Sequence, residues 1–383
     1  MSWTMRKIRE VCDVIPGYAF KSNDLVDDGI PVIKIGNIEA DGSIDIYNTQ
    51  RLPPELLEER HLKYQLKDGD ILIAMTGATA GKTGRINCPD ERVLLLNQRV
   101  AHLKPTKING DFLWAITSTN QYRMIFSGLG GGAAQPNMSG GQIESVEIPV
   151  PYESVQFRIA EILSAYDDLI ENNRRRMELL EASARHLYEE WFVRLRFPGH
   201  EHTEITNGVP EGWERKSLGD CFVLKRGHDL PENHRVPGEF PVVSSSGITG
   251  YHNHKKANGP GVVTGRYGTL GEVHYIETDY WPHNTALYVV DFKGNSPRIV
   301  CCCLRNELQK VKSQSNNAAV PGVNRNVIHT FKLLWPSSKL LAHFDDLLIP
   351  IYQQLRNLRQ QNEKLKSARD LLLPRLVSGE VPV

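Results

Sequence analysis

The chain has 383 residues, with 45 acidic and 45 basic side chains and a formal net charge of zero. That length holds two or three domains with cores of their own. The balanced charge argues against attachment to nucleic acid by bulk electrostatics, so any such binding must run through local patches. No apolar run approaches the roughly 18–20 residues of a membrane span, and MSWTMRKIREV lacks the apolar core of a signal peptide, so a cytoplasmic location is expected.

Residues 1–150 alternate short strand-like runs (IPVIKIGNI, DILIAMTG, VLLLNQRVAHLKP) with Gly/Pro turns, interrupted by a helical stretch, DFLWAITSTNQYRMIFSG. Within them TGATAGKTGR (76–85) looks like a nucleotide-binding loop. A P-loop needs five residues from its first glycine to the Gly of Gly-Lys, whereas Gly77 lies only four before Gly81. The residues after Lys82 read as turn and strand, so no helix N-terminus would face a phosphate. A strand-connecting turn is therefore expected.

Residues 151–197 form the first long helix. Ile159, Leu163, Tyr166, Ile170, Asn173, Met177, Leu180, Ala184, Leu187 and Trp191 recur at spacings of four and three, a heptad seam. Residues 198–336 return to short strands (GPGVVTG, EVHYIE, TALYVVDF) and one helix-like run, RIVCCCLRNELQKV. Its Cys301, Cys302 and Cys303 read as small buried residues. Cys12, Cys88 and Cys221 are scattered and no paired C-x-x-C exists, so no metal site is expected. Residues 337–383 repeat the heptad pattern in Phe344, Leu348, Ile351, Leu355, Leu358, Asn362, Leu365, Arg369, Leu372 and Leu376, with Pro350 expected to kink the start of this helix.

The two halves repeat one another. Trp3, Gly17 and Pro31-Val32-Ile33 match Trp213, Gly227 and Pro241-Val242-Val243 at an interval of 210 residues. Gly81, Gly84, Ile86 and Asn97 match Gly268, Gly271, Val273 and Asn284 at an interval of 187, and AAQP (133–136) matches AAVP (318–321) at 185. An α+β architecture follows, with two similar α/β domains, each followed by a long helix of roughly 60 Å. The economical partner for each seam is the other helix, as an antiparallel coiled coil with pseudo-twofold symmetry. Its pairing residues would be Ile159, Leu163, Ile170, Asn173, Leu180 and Leu187 against Phe344, Leu348, Leu355, Asn362, Leu365 and Leu372. The polar Asn173 and Asn362 are suited to fixing register.

Two similar modules on a rigid rod can measure spacing on duplex DNA. Along essentially its whole length the chain resembles the specificity subunit of type I restriction-modification enzymes. The resemblance rests on LLPRLVSGEV (372–381), LYEEWFVRLRFPGHE (187–201), IPVPYESVQFRIAEIL (148–163) with Gln156 and Ile159-Ala160 as Q-x-x-I-A, and the G-x-x-G turns of both halves. The second helix departs from the pattern, opening SSKLLAHFDDLL without the Gln. The resemblance implies target-recognition domains at 1–150 and 198–336, each reading half of a split asymmetric DNA site. It implies helical conserved regions at 151–197 and 337–383 that set the spacer and dock two methyltransferase subunits and restriction subunits. S-adenosylmethionine, ATP and Mg²⁺ would belong to those partners. An adenine-methylating [DNS]-P-P-[YFW] motif is absent, since Pro53-Pro54 sits in RLPPEL, so this chain is expected to be non-catalytic. Two other classes stay open. A coiled-coil scaffold predicts no sequence-specific DNA retention, and a P-loop-like nucleotide-binding enzyme predicts ATP binding by the isolated chain.

Base edges call for Arg or Lys at guanine and Asn or Gln at adenine, and phosphates for cations and hydroxyls. The loop residues that fit are Lys82, Thr83, Arg85, Asn97, Gln98, Arg99, Gln135 and Asn137 in the first half. In the second they are Lys225, Arg226, Ser244, Ser245, Arg266, Tyr267, His283, Asn284 and Arg325. Asn97 and Asn284 could equally serve to turn the backbone.

Overall fold

The computed structural model describes residues 3–39, 41–88, 90, 92–130, 137–265, 272–314 and 324–383. The chain divides into two units, Met1–Asn172 with Gln360–Val383, and Asn173–Arg359. Both boundaries fall inside its two longest helices.

The strands of the first unit are β1 (Thr4–Lys7), β2 (Cys12–Pro16), β3 (Ile30–Ile33), β4 (Arg51–Leu52), β5 (Gln65–Leu66), β6 (Ile71–Ala74), β7 (Thr83–Arg85), β8 (Leu94–Leu96), β9 (Val100–Pro105) and β10 (Glu147–Val150). Its helices are α1 (Gly110–Thr117), α2 (Asn120–Gly128), α3 (Gly140–Glu144) and the first part of α4 (Glu153–Tyr188). One antiparallel sheet has the order β2-β9-β6-β7, and a second, β4-β3-β8-β5, contains the parallel pair β3/β8. Every residue of β6 is buried. Ile71 and Ile73 join the core formed with Phe112, Phe126, Ile143 and Ile159, while Leu72 and Ala74 join Ile33, Leu94 and Leu96 on the other side. A strand covered on both faces needs an uninterrupted apolar run, and ILIA supplies it.

The second unit contains β11 (Ile205–Thr206), β12 (Val209–Pro210), β13 (Glu214–Ser217), β14 (Val223–Arg226), β15 (Phe240–Ser244), β16 (Gly247–His252), β17 (Gly261–Gly265), β18 (Val273–Ile276), β19 (Trp281–Pro282), β20 (Ala286–Asp291) and β21 (Lys332–Trp335). Its helices are α5 (Leu218–Cys221), α6 (Pro297–Gln314), α7 (Arg325–Thr330) and the first part of α8 (Ser338–Val377). The order β14-β20-β17-β18 reproduces that of the first unit, β16-β15-β19 matches β4-β3-β8 without a counterpart of β5 among the described residues, and the pairing of β13 with β21 is the counterpart of β1 with β10. Cys301, Cys302 and Cys303 lie buried on α6 among Leu224, Val262 and Leu287. Burial pushes all three thiols up, Cys302 to about 12, so they behave as small apolar groups. An ion pair from Arg298 on α6 to Asp345 on α8 (Nη2–Oδ2 2.6 Å, Nε–Oδ1 3.0 Å) ties the two helices together.

The ladders fix which residues correspond, and they correct the sequence match. Gly17 and Gly227 are equivalent: a Cβ on Gly17 would lie 2.3 Å from Asn97 O, and one on Gly227 2.1 Å from His283 O. Asn97 N donates to Ile33 O (3.1 Å) as His283 N donates to Val243 O (2.8 Å). The counterpart of Asn97 is therefore His283 rather than Asn284. Leu72 faces Gly84 across β6/β7, and its equivalent Val263 faces His274 across β17/β18. Gly84 thus corresponds to His274, and Ile86 to Ile276 rather than Val273. Glycine spacing alone places Gly84 and Ile86 three residues out of register and Asn97 one. Gly268, Gly271 and the AAQP and AAVP segments lie outside the described residues.

The P-loop alternative is also overturned. Lys82 leads directly into strand β7, which pairs antiparallel with β6, so no helix N-terminus follows. Gly81 has φ +84°, and a Cβ there would come within 2.6 Å of Ser127 N on α2. Gly81→Ala is expected to destabilise the chain by at least about 1–2 kcal/mol from the left-handed backbone alone. A urea titration checks this; a variant as stable as the parent contradicts the packing of that turn on α2.

In each unit a stretch of α4 lies antiparallel to a stretch of α8. In the first, Arg369 Nη1 pairs with Asp167 (2.6 Å) and Asn362 Nδ2 donates to Ile170 O (3.1 Å). In the second, Arg359 pairs with Glu181 (3.2 Å), and Phe344 packs on Tyr188, Trp191 and Phe192. Ile159, Leu163, Asn173, Phe344, Leu348, Leu355 and Asn362 are buried, and Ile170, Leu180, Leu187, Leu365 and Leu372 half-buried. Tyr352 and Leu373 are more deeply buried than their neighbours Ile351 and Leu372, so the seam steps one residue from strict heptad spacing. A straight helix drifts about 20° per heptad against a 3.5-residue repeat, which accounts for the step. Helix α8 continues on both sides of Pro350, whereas α4 gives way to a π-helical turn at Glu189–Val193. Among the described residues no helix is long and apolar enough to cross a membrane.

Candidate nucleic-acid interface

In the first unit four segments meet at one end of the β2-β9-β6-β7 sheet: the exit from β2, the β6–β7 loop, the β8–β9 turn and the residues before α3. Backbone hydrogen bonds staple them together, from Gln98 N to Tyr18 O (2.8 Å), Met75 N to Arg99 O (2.9 Å) and Met138 N to Met75 O (2.8 Å). The close approach at Gly17 lets the first of these segments lie against the turn. On this frame Gln98, Arg99 and Asn137 are exposed and Lys82 is half-buried.

Three candidates of this half are removed. Thr83 is 0% exposed, and its hydroxyl donates to Thr117 O on α1 (3.0 Å). Arg85 sits opposite Ile71, at the far end of the strand pair from the loop, and is ion-paired with Asp111. Asn97 is 8% exposed and closes the β8–β9 turn, with its Oδ1 accepting from Arg99 N (3.5 Å), which is the backbone-turning role. Gln135 lies outside the described residues.

The structure adds residues that the sequence reading missed. Tyr18, at the exit from β2, stacks edge-on against Phe20 and His61 (centroids 5.0 and 4.6 Å), with the Arg60 guanidinium 5.7 Å from its ring. Lys34, next to the Ile33 carbonyl that Asn97 engages, hydrogen-bonds Gln50, and partial burial lowers its ammonium pKa. The available signal was position: both follow residues that the 210-residue interval had already aligned.

The second unit builds the same rim from β14, β15, β18 and the β19–β20 turn. His228 N donates to Pro282 O (2.8 Å), bringing His228 beside His283. Ser245 N donates to Thr285 Oγ1 (3.4 Å), which lies 3.1 Å from His283 Nδ1, and His274 Nε2 lies 3.3 Å from Ser245 O. Asn284 donates to the Asp229 carboxylate, and Arg226 Nε to Asn284 O (3.3 Å). Lys225 and Arg226 are exposed on β14, and Arg325 is exposed in the first turn of α7. Ser244 is corrected: at 8% exposure it faces inward and donates to Gly247 O (3.2 Å). Arg266 and Tyr267 lie outside the described residues. Burial lowers the pKa of His228 and of His283, helped by Lys256 and Lys225 at the first and by Arg235 at the second.

Each rim thus presents amides, cations and rings whose donors and acceptors match base edges and phosphates. Gln156, the glutamine of Q-x-x-I-A, plays a different part. It is buried, accepts from Asn109 N (2.9 Å) and donates to Pro151 O (2.9 Å), anchoring the start of α4 to the loop before α1.

A family profile described as Type I restriction modification DNA specificity domain matches residues 1–182 and 210–345. The chain is 27% identical over 319 residues to the type I restriction enzyme MjaIX specificity subunit of Methanocaldococcus jannaschii, covering 76% of this chain and 73% of that protein. It is 30% identical over 184 residues to the MjaVIII specificity subunit of the same organism, a match spanning 47% of this chain and 43% of that one. Its fold is similar to the crystal structure of the type I restriction-modification S subunit from M. genitalium, with TM-score 0.53, 16% identity and coverage of 98% and 96%.

Proposed function

The chain belongs to the type I restriction-modification DNA specificity family, and from that premise we propose that it is the sequence-specific DNA-binding subunit of such a complex. Its recognition domains, residues 1–150 and 198–336, each read one half of a split, asymmetric duplex site. The helices at 151–197 and 337–383 set the spacer and dock two methyltransferase subunits together with restriction subunits. The chain itself is non-catalytic; S-adenosylmethionine, ATP and Mg²⁺ act in its partners.

The observation that carries this reading is the rim built twice. Equivalent ends of the same four-stranded sheet gather exposed Gln98, Arg99 and Asn137 in one unit, and exposed Arg226 with half-buried Ser245, His283 and Asn284 in the other. The rim residues differ between units although the framework beneath them is the same, as two unequal half-sites require. A scaffold would have no need of unequal polar rims on equal frameworks.

Arg99→Ala tests the reading. Loss of a guanidinium that meets a base edge is expected to cost about 1–3 kcal/mol at one position of one half-site. The assembled complex should keep its methyltransferase subunits and its discrimination in the other half. Competition binding with single-base-substituted duplexes reads this out, and unchanged discrimination at every position removes Arg99 from the interface.

A further inference from the structure

We propose that His228, His274 and His283 are specificity-determining residues of the second recognition domain, so that reading of its half-site depends on the protonation of these rings while reading by the first domain does not. This deepens the DNA-binding assignment above and rests on it.

The three imidazoles are joined along one rim. His228 and His283 are neighbours through the Pro282 carbonyl, and His283 reaches His274 by way of Thr285 and Ser245. All three are half-buried, so none is fully enclosed in the core. In the first unit the corresponding positions hold Tyr18, Asn97 and Gly84, none of them a histidine. The same framework therefore places imidazoles at three rim positions in one unit and at none of the equivalent positions in the other, where the nearby His61 is buried against Tyr18.

Protonation changes what an imidazole can read. The neutral ring has one donor and one acceptor, which suits an adenine edge; the imidazolium has two donors, which suits guanine O6 and N7 or a phosphate. The charged groups facing the rings decide the sign. Lys225, Lys256 and the Tyr288 hydroxyl (3.4 Å from Nε2) face His228, Arg235 and Asp229 face His283, and Glu272 lies 3.9 Å from His274. Burial and the cations hold His228 and His283 below the usual histidine value in the free protein. A bound polyanion raises both. The affinity gained from protonation is therefore fully present below the free-protein values and is lost as pH rises through the DNA-bound ones.

The test uses the chain assembled with its methyltransferase subunits and the target found by mapping methylated adenines. Binding is measured between pH 5.5 and 8.0 at constant ionic strength, on duplexes altered in one half-site or the other. The expected result is a shift of at least about fivefold in discrimination at one half-site, with the other changing less than about twofold. The triple variant His228→Gln, His274→Gln, His283→Gln should abolish that shift and leave discrimination at the other half-site intact. His274→Gln alone, at the ring linked to Ser245, should diminish it and serves if the triple variant does not fold. An equal pH response in both halves, or a shift that survives the substitutions, overturns the proposal. Absence of sequence discrimination at every pH overturns the DNA-reading assignment itself, and this proposal with it.

Discussion

Phe344→Ala is expected to lower the stability of the second unit by about 3–5 kcal/mol, the range for deleting a wholly buried phenylalanine that leaves a cavity behind. Phe344 is 0% exposed on α8, with ring centroids 4.6 Å from Phe192, 5.3 Å from Trp191 and 6.1 Å from Tyr188. Those neighbours sit on α4 and its π-helical end, and the aromatic contacts continue from Phe192 to Trp213 (5.9 Å). Large rings held on two helices cannot collapse into the space a phenyl group leaves, so the upper part of the range applies. Trp191 and Trp213 lie within this cluster, and with Trp3 and Trp114 of the first unit replaced by Phe, tryptophan fluorescence during guanidinium unfolding reports on this unit. Phe157→Ala is the control: that ring is 55% exposed on α4, and its loss should cost less than about 0.5 kcal/mol. A loss below about 1 kcal/mol at Phe344 contradicts the packing described.

The same cluster shows which parts of this protein are legible in its sequence. Phe344, Leu348 and Leu355 announce themselves by spacing, because burial along a long helix repeats and each residue reinforces the reading of the next. The phase of the seam is less legible: Tyr352 displaces Ile351, and Leu373 displaces Leu372, because the helix periodicity is not commensurate with seven. The rims were partly legible. Gln98, Arg99, Arg226 and Asn284 are polar residues flanking strand signals; Gln98, Arg99 and Asn284 lie on the turns those signals imply, and Arg226 on the last residue of β14. Thr83 and Ser244 misled because a three-residue strand or a strand end carries too little alternation to tell inward from outward, and a hydroxyl can be satisfied internally by one carbonyl. Tyr18 and His228 were missed for a different reason. Their place on the rim is set by carbonyls more than 50 residues away, closed over a glycine, and no local pattern encodes that contact.

Deleting one heptad from both long helices should shift the tolerated distance between the two half-sites by about three base pairs. Seven helical residues span roughly 10 Å, and duplex DNA advances about 3.4 Å per base pair. Suitable deletions are residues 174–180 of α4 with 355–361 of α8. The Ile170–Asn362 contact lies just outside both segments, Arg359 and its pair with Glu181 are lost with the second, and both deletions preserve heptad phase: Glu181 moves to the place of Arg174, and Asn362 to the place of Leu355. Deleting four residues from one helix instead would turn its apolar stripe away from its partner, and assembly should fail outright. The readout is methylation of a duplex library in which the two half-sites are held constant and their separation varies, using the chain assembled with its methyltransferase subunits. The Phe344-bearing core is checked in parallel by its unfolding transition, so that loss of activity at every separation is distinguished from misfolding. With that core intact, a displaced optimum supports the helices as the ruler. An optimum that stays where it was assigns the spacer to something other than helix length, and the proposed division of labour between recognition domains and helices falls with it.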